Sequence, residues 1–140
     1  MKKTIALFLF MAINFQVNAQ KINWISLNKA LELQKENPKK IMMDVYTNWC
    51  GPCKMLDKQT FQNKDVAAYV NKHYYAVKFN AEGNDSINYK GRPFLNRGYD
   101  KTKAKKRNSP HQFTNFMNIK GYPTIAFFDE KAGFLYPLTG

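Results

Sequence analysis

The chain has 140 residues, enough for one compact domain, and its 44% hydrophobic and 15% aromatic residues exclude a wholly disordered protein. Its 22 lysines and arginines against 10 acidic residues give a formal net charge of +12, which favours anionic partners. Two cysteines are too few for a framework of structural disulfides.

Residues 1–19 have the pattern of a secretory signal peptide. Two lysines precede a long apolar run, and Val17-Asn18-Ala19 supplies the small residues that a signal peptidase reads. We expect cleavage between Ala19 and Gln20, which leaves residues 20–140 as one domain that is periplasmic or secreted. The apolar run is shorter than the roughly 20 residues of a membrane-spanning helix, which argues against an uncleaved anchor.

The first predicted elements are a short strand, a helix and a buried strand. Trp24-Ile25 is apolar, Ser26 is a good N-cap for a helix, and Asn37-Pro38 stops that helix. Residues 41–46 are almost continuously apolar, which is typical of a central strand covered on both faces. Asp44 is the exception in this run, because a buried charge is costly unless it has a partner or a role.

Both cysteines follow this strand, in the run Trp49-Cys50-Gly51-Pro52-Cys53. Pro52 suits the first turn of a helix, where its missing N–H costs nothing. Cys50 would then lie at the helix N-terminus, where unpaired N–H groups and the helix dipole favour a thiolate. We predict that Cys50 attacks a substrate disulfide and that Cys53, expected to be the more buried, resolves the mixed disulfide.

Two other uses of this cysteine pair are less favoured. A zinc site needs four ligands, but there is no second Cys-x-x-Cys, and His73 and His111 are isolated in the sequence. A permanent disulfide between residues so close together would restrain little unfolded-state entropy. The pattern therefore predicts a redox-active Cys50–Cys53 disulfide with no metal and no other cofactor.

The next predicted elements are a helix, a break and a strand. The helix begins near Cys53 and continues to about Gln62. Asn63 is a good N-cap for a further helical segment. Residues 74–79 alternate in a way that predicts the next strand.

A long basic segment lies between Phe79 and Gly121, and its charge is concentrated at Lys101–Arg107. Interleaved aromatic residues, including Tyr89 and Phe94, distinguish it from a plain charged linker. One interpretation is a solvated surface loop; the other is a docking surface for an acidic partner or an anionic membrane surface. Nucleic acid is not expected as a partner of an exported protein, and no glycine-rich phosphate loop is present.

Ser109-Pro110 predicts the start of a helix that ends at Gly121. Three large apolar residues share one face of that helix and are expected in the core: Phe113, Phe116 and Met117. Residues 124–128 and 134–138 predict two further strands, the second at a sheet edge because it contains Pro137.

Together these motifs resemble the thioredoxin family. The resemblance is carried by Asp44–Lys54 and by Gly121-Tyr122-Pro123-Thr124 with the strand that follows it, while Asp57–Phe61 is similar to exported members. It implies a thioredoxin-like α/β fold with a mixed central sheet, helices on both faces and a basic insertion before the helix that precedes the cis-proline. The sequence reaches Gly140 where the family begins its final helix, so that helix is expected to be missing.

The resemblance also implies site residues. Asp44 matches the buried acid that relays the proton for Cys53, and burial should raise its pKa. Lys78 matches the lysine that pairs with this acid, and Pro123 is expected to form a cis bond with Tyr122. The residues expected to bind the substrate are Trp49, Gly51, Pro52, Tyr122, Pro123 and Thr124.

The function implied by the resemblance is thiol–disulfide exchange on protein substrates, with electrons from a membrane-bound donor. Gly51-Pro52 between the cysteines resembles the reducing members of the family more than the oxidising ones, which favours a disulfide reductase. The alternatives are a disulfide oxidase or isomerase, and a non-catalytic chaperone for a metal or a protein substrate.

Overall fold

A computed structural model of the protein describes residues 20–140, so the predicted signal peptide lies outside the described residues. The strands are β1 (Trp24–Ile25), β2 (Lys40–Tyr46), β3 (Tyr74–Asn80), β4 (Ile87–Tyr89), β5 (Arg92–Phe94), β6 (Thr124–Phe128) and β7 (Phe134–Thr139). The helices are α1 (Leu27–Glu36), α2 (Gly51–Leu56), α3 (Lys64–His73) and α4 (Gln112–Phe116), with a π-helical turn over Asp57–Phe61 and a 3₁₀ turn over Lys101–Lys103.

The central sheet has five strands in the order β1-β3-β2-β6-β7. β1, β3 and β2 are parallel to one another, whereas β6 pairs antiparallel with both β2 and β7. The predicted mixed sheet is therefore confirmed. Because β2 lies in the middle and carries the cysteine loop at its C-terminal end, the whole sheet supports the position of that loop.

Alternation along β2 divides the apolar core between the two faces of the sheet. Met43 and Val45 belong to one cluster of buried residues, which includes the apolar sides of α1 and α4. Met42 belongs to a second cluster, which includes Phe61 of the π-helical turn and the buried residues of α3. Helices on both faces are thus confirmed, and Asp44 shares its face with Met42.

Two of the predicted caps are found where the sequence places them. The Ser26 side chain accepts a hydrogen bond from the N–H of Lys29 at the start of α1. The Asn63 side chain accepts from the N–H groups of Asp65 and Val66 at the start of α3. In both cases a short polar side chain satisfies N–H groups that the first helical turn leaves unpaired.

The predicted start of the last helix at Ser109-Pro110 is wrong, because α4 begins two residues later with His111 as its N-cap. The N–H of Phe113 donates to His111 Nδ1 at 3.0 Å. His111 is fully buried, its backbone N–H donates to the carbonyl of Ala81, and its Nε2 lies 2.7 Å from the Asp85 carbonyl oxygen. The imidazole is therefore the neutral tautomer protonated at Nε2. Long-range bonds to the loop after β3 decide where this helix starts, and they overrule the local signal.

Part of the basic insertion is folded into the core. β4 and β5 form a hairpin whose turn is Lys90-Gly91, both with positive φ, the backbone of a tight two-residue turn. Tyr89 and Phe94 are buried, and their rings lie 5.3 and 5.1 Å from the ring of Phe113. A solvated loop is thus the wrong description of the hairpin, whereas the lysines and arginine of residues 101–107 are exposed.

The edge strand β7 is the last element of the described chain, and no helix follows it up to Gly140. Its apolar side chains are partly open to solvent, with Leu138 60% exposed. None of the helices in residues 20–140 is long and apolar enough to cross a membrane.

Candidate active site

The two cysteines are joined in a disulfide at the start of α2. Their Cα atoms lie 5.3 Å apart, and Cys50 is the N-cap of the helix. The Cys50 Sγ accepts a hydrogen bond from the N–H of Cys53 at 3.1 Å, and Pro52 occupies the first turn, as predicted. The sulfur thus occupies a position that usually belongs to a serine or aspartate side chain, where N–H donors favour negative charge.

Cys50 and Cys53 are both nearly inaccessible, with exposures of 3% and 6%. The prediction that Cys53 is the more buried residue is therefore wrong for the disulfide form. The capping bond holds the Cys50 sulfur against the helix end, while Gly51 and Pro52 remain exposed between the two cysteines. Gly51 and Pro52 therefore form the accessible surface of the cysteine loop.

Asp44 and Lys78 are direct partners across the sheet. The parallel register of β2 and β3 pairs their Cα positions, and Lys78 Nζ lies 3.4 Å from Asp44 Oδ2. Asp57, in the π-helical turn, accepts a hydrogen bond from the same ammonium group at 2.8 Å. Lys78 therefore bridges the Asp44 carboxylate, which is 2% exposed, and the Asp57 carboxylate, which is 35% exposed.

The three charges shift one another's titration in different directions. Burial raises the pKa of Asp44, and the opposing attraction of Lys78 does not cancel that effect. The hydrogen bond from Lys78 lowers the pKa of Asp57. Burial alone would lower the pKa of Lys78, but the hydrogen bond to Asp57 and the charges of both carboxylates outweigh it and raise that pKa. Asp44 is thus the member of the group with a reason to hold a proton.

A groove of about 480 Å³ runs beside Cys53. Asp57 and Lys78 line it together with Thr47, whose buried hydroxyl has no partner in residues 20–140. The Oδ1 atom of Asp44 is likewise buried and unpartnered in the described chain. Lys78 therefore connects an open groove next to Cys53 with a buried carboxyl group that has spare hydrogen-bonding capacity.

The loop before β6 contributes the remaining predicted residues. The Tyr122–Pro123 bond is cis, as expected from the resemblance. Thr124 begins β6, and its hydroxyl donates to the carbonyl of Gly121 at 2.8 Å. The carbonyl of Pro123 accepts from the N–H of Gly140 at 3.1 Å, so this group is already occupied. Tyr122 lies outside the strand ladder, which leaves it the better placed of these residues to meet another chain.

Trp49 is held by contacts on several sides. Its Nε1 donates to Glu82 Oε2 at 2.7 Å, and its ring meets that of Tyr122 edge to face with a centroid separation of 6.0 Å. The guanidinium carbon of Arg107 lies 4.2 Å from the centroid of the Trp49 ring, an arrangement in which the cation faces the π system. The residue next to Cys50 is therefore fixed partly by the basic insertion.

Three residues of this region were not predicted to take part in the site: Asp57, Glu82 and Arg107. Glu82 lies two residues after the end of β3, which is parallel to β2, and the C-terminal ends of parallel strands meet at the same sheet edge. That rule could have placed Glu82 near Trp49. The other two carried no comparable signal, because a π-helical turn positions Asp57 and a long insertion positions Arg107.

Within residues 20–140, no group of three or more histidine, cysteine, aspartate or glutamate side chains is arranged to hold a metal ion. The reactive and charged groups that the structure brings together at this site are two sulfurs, one buried carboxyl group and its ammonium partner.

A family model described as a thioredoxin-like domain, Thioredoxin_2, matches residues 27–140. A solved structure named DsbH oxidoreductase is 18% identical to the chain, covers 89% of it and 76% of its own length, and has a TM-score of 0.60. A candidate disulphide-isomerase from Bacteroides thetaiotaomicron is 26% identical, with coverage of 87% and 83% and a TM-score of 0.58. A thioredoxin from Thermus thermophilus is 15% identical, with coverage of 86% and 76% and a TM-score of 0.60. No curated protein sequence matches the chain.

The family match spans the cysteine loop, the cis-proline loop and every helix of the described fold. The chain therefore belongs to the thioredoxin-like domain family and carries, in Cys50 and Cys53, the Cys-x-x-Cys disulfide of a thiol–disulfide oxidoreductase.

Proposed function

We propose that this protein is an exported disulfide reductase that acts on protein substrates through dithiol exchange. The observation that carries the proposal is the position of Cys50: its sulfur caps α2 and accepts the N–H of Cys53, which favours the thiolate form once the disulfide is opened. The thiolate is the attacking species in disulfide exchange.

In the first step, the Cys50 thiolate attacks one sulfur of the substrate disulfide. A bond forms between Cys50 Sγ and that sulfur, the substrate S–S bond breaks, and the second substrate sulfur leaves with the electron pair and takes a proton from water. Trp49, Gly51, Pro52, Tyr122, Pro123 and Thr124 are the residues proposed to hold the substrate chain during this step.

In the second step, Cys53 attacks Cys50 Sγ and releases the substrate. The Cys53 thiol first gives up its proton, for which we propose Asp44 as the acceptor. We propose that Lys78 stabilises the negative charge that is then left on the Cys53 sulfur. Because burial raises the pKa of Asp44, its carboxylate accepts a proton more readily than an ordinary aspartate does. After both steps the substrate has gained two electrons and two protons, and Cys50–Cys53 is a disulfide again.

The proposed direction of the reaction is supported by the residues between the cysteines. Gly51-Pro52 favours the reducing direction. We therefore expect the reduction potential of the Cys50–Cys53 couple to lie closer to that of thioredoxin, about −270 mV, than to that of a strong oxidant, about −120 mV. In an oxidising compartment the dithiol must be regenerated, and a membrane-bound dithiol donor of two electrons is proposed for this role. Residues 1–19 support export.

Two cysteine variants test the proposed steps. Cys50→Ser is expected to abolish reduction of insulin disulfides, because no nucleophile remains at the helix start. Cys53→Ser is expected to accumulate a mixed disulfide through Cys50, since the resolving thiol is absent. Intact-mass spectrometry followed by peptide mapping identifies the cysteine that carries the substrate.

The assignment of the two thiols would be overturned if the Cys50→Ser variant formed a mixed disulfide through Cys53 as fast as the Cys53→Ser variant forms one through Cys50. The potential of the Cys50–Cys53 couple, measured against glutathione and thioredoxin redox buffers, tests the direction. A value near that of the strong oxidants would instead favour an oxidase or isomerase.

A further inference from the structure

The most concentrated charge on the described surface is the basic loop, defined here as residues 101–107. All of its cationic side chains are exposed: Lys101, Lys103, Lys105, Lys106 and Arg107. Within residues 20–140, one of them has a carboxylate within 4.0 Å, namely Lys103, whose Nζ lies 3.7 Å from Asp100. The others present positive charge that no neighbouring acid neutralises.

The base of the loop is closed by reciprocal bonds between Asp100 and Asn108. The Asp100 N–H donates to Asn108 Oδ1 at 2.9 Å, and Asn108 Nδ2 donates to the Asp100 carbonyl at 2.8 Å. Inside the loop, Lys103 and Lys106 donate backbone N–H bonds to residues three positions earlier. The lysines are thus mounted on a short folded turn.

This folded turn is fastened to the cysteine loop at two points. Asn48 Nδ2, two residues before Cys50, donates to the Ala104 carbonyl at 2.7 Å. Glu82 Oε2 accepts both the Trp49 indole N–H and the backbone N–H of Asn108, at 2.7 and 2.9 Å. The Glu82 carboxylate therefore links the base of the basic loop to the Trp49 side chain.

We propose that the basic loop is a substrate-recognition surface that selects protein disulfides flanked by acidic residues. The inference deepens the proposed reductase function and rests on it. A disulfide can react only when its sulfur touches Cys50, and the chain that carries it then passes Trp49, which is in contact with Arg107. Aspartates and glutamates beside the substrate cysteines meet Lys101, Lys105 and Lys106 at that moment.

An acidic protein segment fits this surface better than a lipid surface does. A membrane-binding loop commonly adds apolar side chains that enter the lipid, but the basic loop has Ala104 as its one apolar residue, and Ala104 is half-buried. The tethers at Asn48 and Trp49 also direct the loop toward the place where the substrate chain must lie. Exposed charges at the rim of a contact act mainly on the rate of association and make it dependent on salt.

The test uses two synthetic peptides, each with one intrachain disulfide and the same length. One has glutamates on both sides of the cysteines, and its twin has glutamines at the same positions. The second-order rate constant for oxidation of the fully reduced protein by each peptide is measured by acid quench and chromatographic separation of the peptide forms. Reactions are run at about 0.01 M and about 1 M ionic strength, where the screening lengths are about 30 and 3 Å.

The test variant is Lys101→Gln/Lys105→Gln/Lys106→Gln, which leaves Arg107 on the Trp49 ring. The matched control, Lys21→Gln/Lys35→Gln/Lys72→Gln, removes the same charge from exposed lysines at the opposite end of the sheet. Lys35 lies in the last turn of α1 before β2, and Lys72 lies in the last turn of α3 before β3, both far along the strands from the cysteine loop. The control therefore separates the position of the charge from the net charge.

The native protein and the control are expected to favour the glutamate peptide roughly tenfold at low salt, within the range of electrostatic steering. That preference should disappear at high salt and in the test variant, while the glutamine peptide reacts equally with all three proteins. Equal preference in the test variant and the control would overturn the inference. A second result would also overturn the inference: the test variant loses binding to vesicles of phosphatidylcholine with phosphatidylglycerol but keeps its peptide preference. That result would assign the loop to a membrane.

The same peptides with serine in place of cysteine separate this inference from the reductase proposal. Their binding, measured by fluorescence anisotropy, does not depend on any redox step. If the glutamate version binds through the basic loop but neither disulfide peptide is reduced, docking is supported and the reductase function fails. If both disulfide peptides are reduced at one rate by every protein, the reductase function is supported and the acidic preference is refuted.

Discussion

At the scale of single residues, Asp44 is a carboxyl group whose burial costs folding free energy and whose position beside Lys78 is fixed. It is 2% exposed, one of its oxygens has no partner in the described residues, and the other lies 3.4 Å from Lys78. A buried carboxylate with one imperfect partner is expensive to keep charged. The proton-relay role proposed for Asp44 would explain why this residue is present in an otherwise apolar strand.

Asp44→Asn is expected to raise stability and slow resolution of the mixed disulfide. Because burial raises the pKa of Asp44 above its ordinary 3.8, the native carboxyl group destabilises the fold as pH rises through its folded pKa. The gain in the variant should be near zero below the unfolded pKa and, above the folded pKa, reach about 1.4 kcal/mol for each tenfold drop that burial causes in the acid dissociation constant of Asp44. Lys78 keeps Asp57 as a partner, so no orphan charge offsets this gain.

Urea unfolding between acid and mildly alkaline pH measures this difference, and release of substrate from the mixed disulfide measures the resolving step, expected to slow about 10²-fold. Asp65→Asn, which removes an exposed carboxylate from the first turn of α3, is the control and should bring no gain. A constant stability difference at all pH values, or an unchanged rate of release, would reduce Asp44 to a structural residue.

At the scale of elements, the π-helical turn after α2 decides how Lys78 is shared. The wider turn, closed by a bond from the N–H of Gln62 to the carbonyl of Asp57, places the Asp57 carboxylate against Lys78. Such single π turns inside helices often occur at functional sites. Here the turn supplies a second acid that competes with Asp44 for one ammonium group.

Asp57→Asn is expected to move the pH dependence of the resolving step to lower pH. The negative charge of Asp57 contributes to the raised pKa of Asp44, and its removal also leaves Lys78 to Asp44 alone, so both effects lower the pKa of Asp44. The rate of substrate release from the mixed disulfide, measured across pH, reports the shift.

Gln62→Ala is the matched control, because it removes a 3.3 Å contact to Asp57 but leaves the bond from Lys78 intact. Asp57→Glu should restore a profile closer to the native one. If Asp57→Asn and Gln62→Ala give the same profile as the native protein, Lys78 is positioned without help from the π-helical turn.

The sequence predicted the elements whose signals are local and repeated. β2, β3 and β6 are apolar runs, and the caps at Ser26 and Asn63 act on the turn that follows them. The start of α4 could not be predicted in this way, because the local Ser109-Pro110 signal is overruled by bonds from His111 to a loop some 26 positions earlier. The π-helical turn has no comparable signature, and the cysteine and cis-proline motifs were recognisable because their residues are contiguous.

At the scale of the whole molecule, the aromatic core attaches the insertion to the domain. Phe113 is fully buried, and its ring lies between 5.1 and 6.4 Å from the rings of Phe94, Tyr89 and Phe128. The hairpin of β4 and β5 is thereby packed against α4 and the central sheet. This anchoring gives the exposed basic loop a fixed base.

Phe113→Ala is expected to lower the free energy of unfolding by about 3–5 kcal/mol, since it leaves a cavity among rings that cannot all collapse into it. Phe116→Ala, in the same helix but with a side chain 44% exposed, should cost about 1–2 kcal/mol. Urea unfolding gives both values, and hydrogen exchange should show faster opening of the β4–β5 hairpin in the first variant. Equal losses of stability, with unchanged hydrogen exchange in the hairpin, would show that Phe113 does not anchor the hairpin.

The contacts of Trp49 make its intrinsic fluorescence a probe of the cysteine site. The chain has two tryptophans, Trp24 and Trp49, and Trp24 packs against Phe61, so Trp24→Phe would leave Trp49 as the one emitter. That emitter is covalently next to Cys50 and lies under the guanidinium of Arg107. Its intensity would follow the opening of the disulfide, and its wavelength would follow the approach of charged groups to the ring. Opening of the disulfide and approach of a charged partner could thus be timed separately in one stopped-flow experiment, without an attached dye.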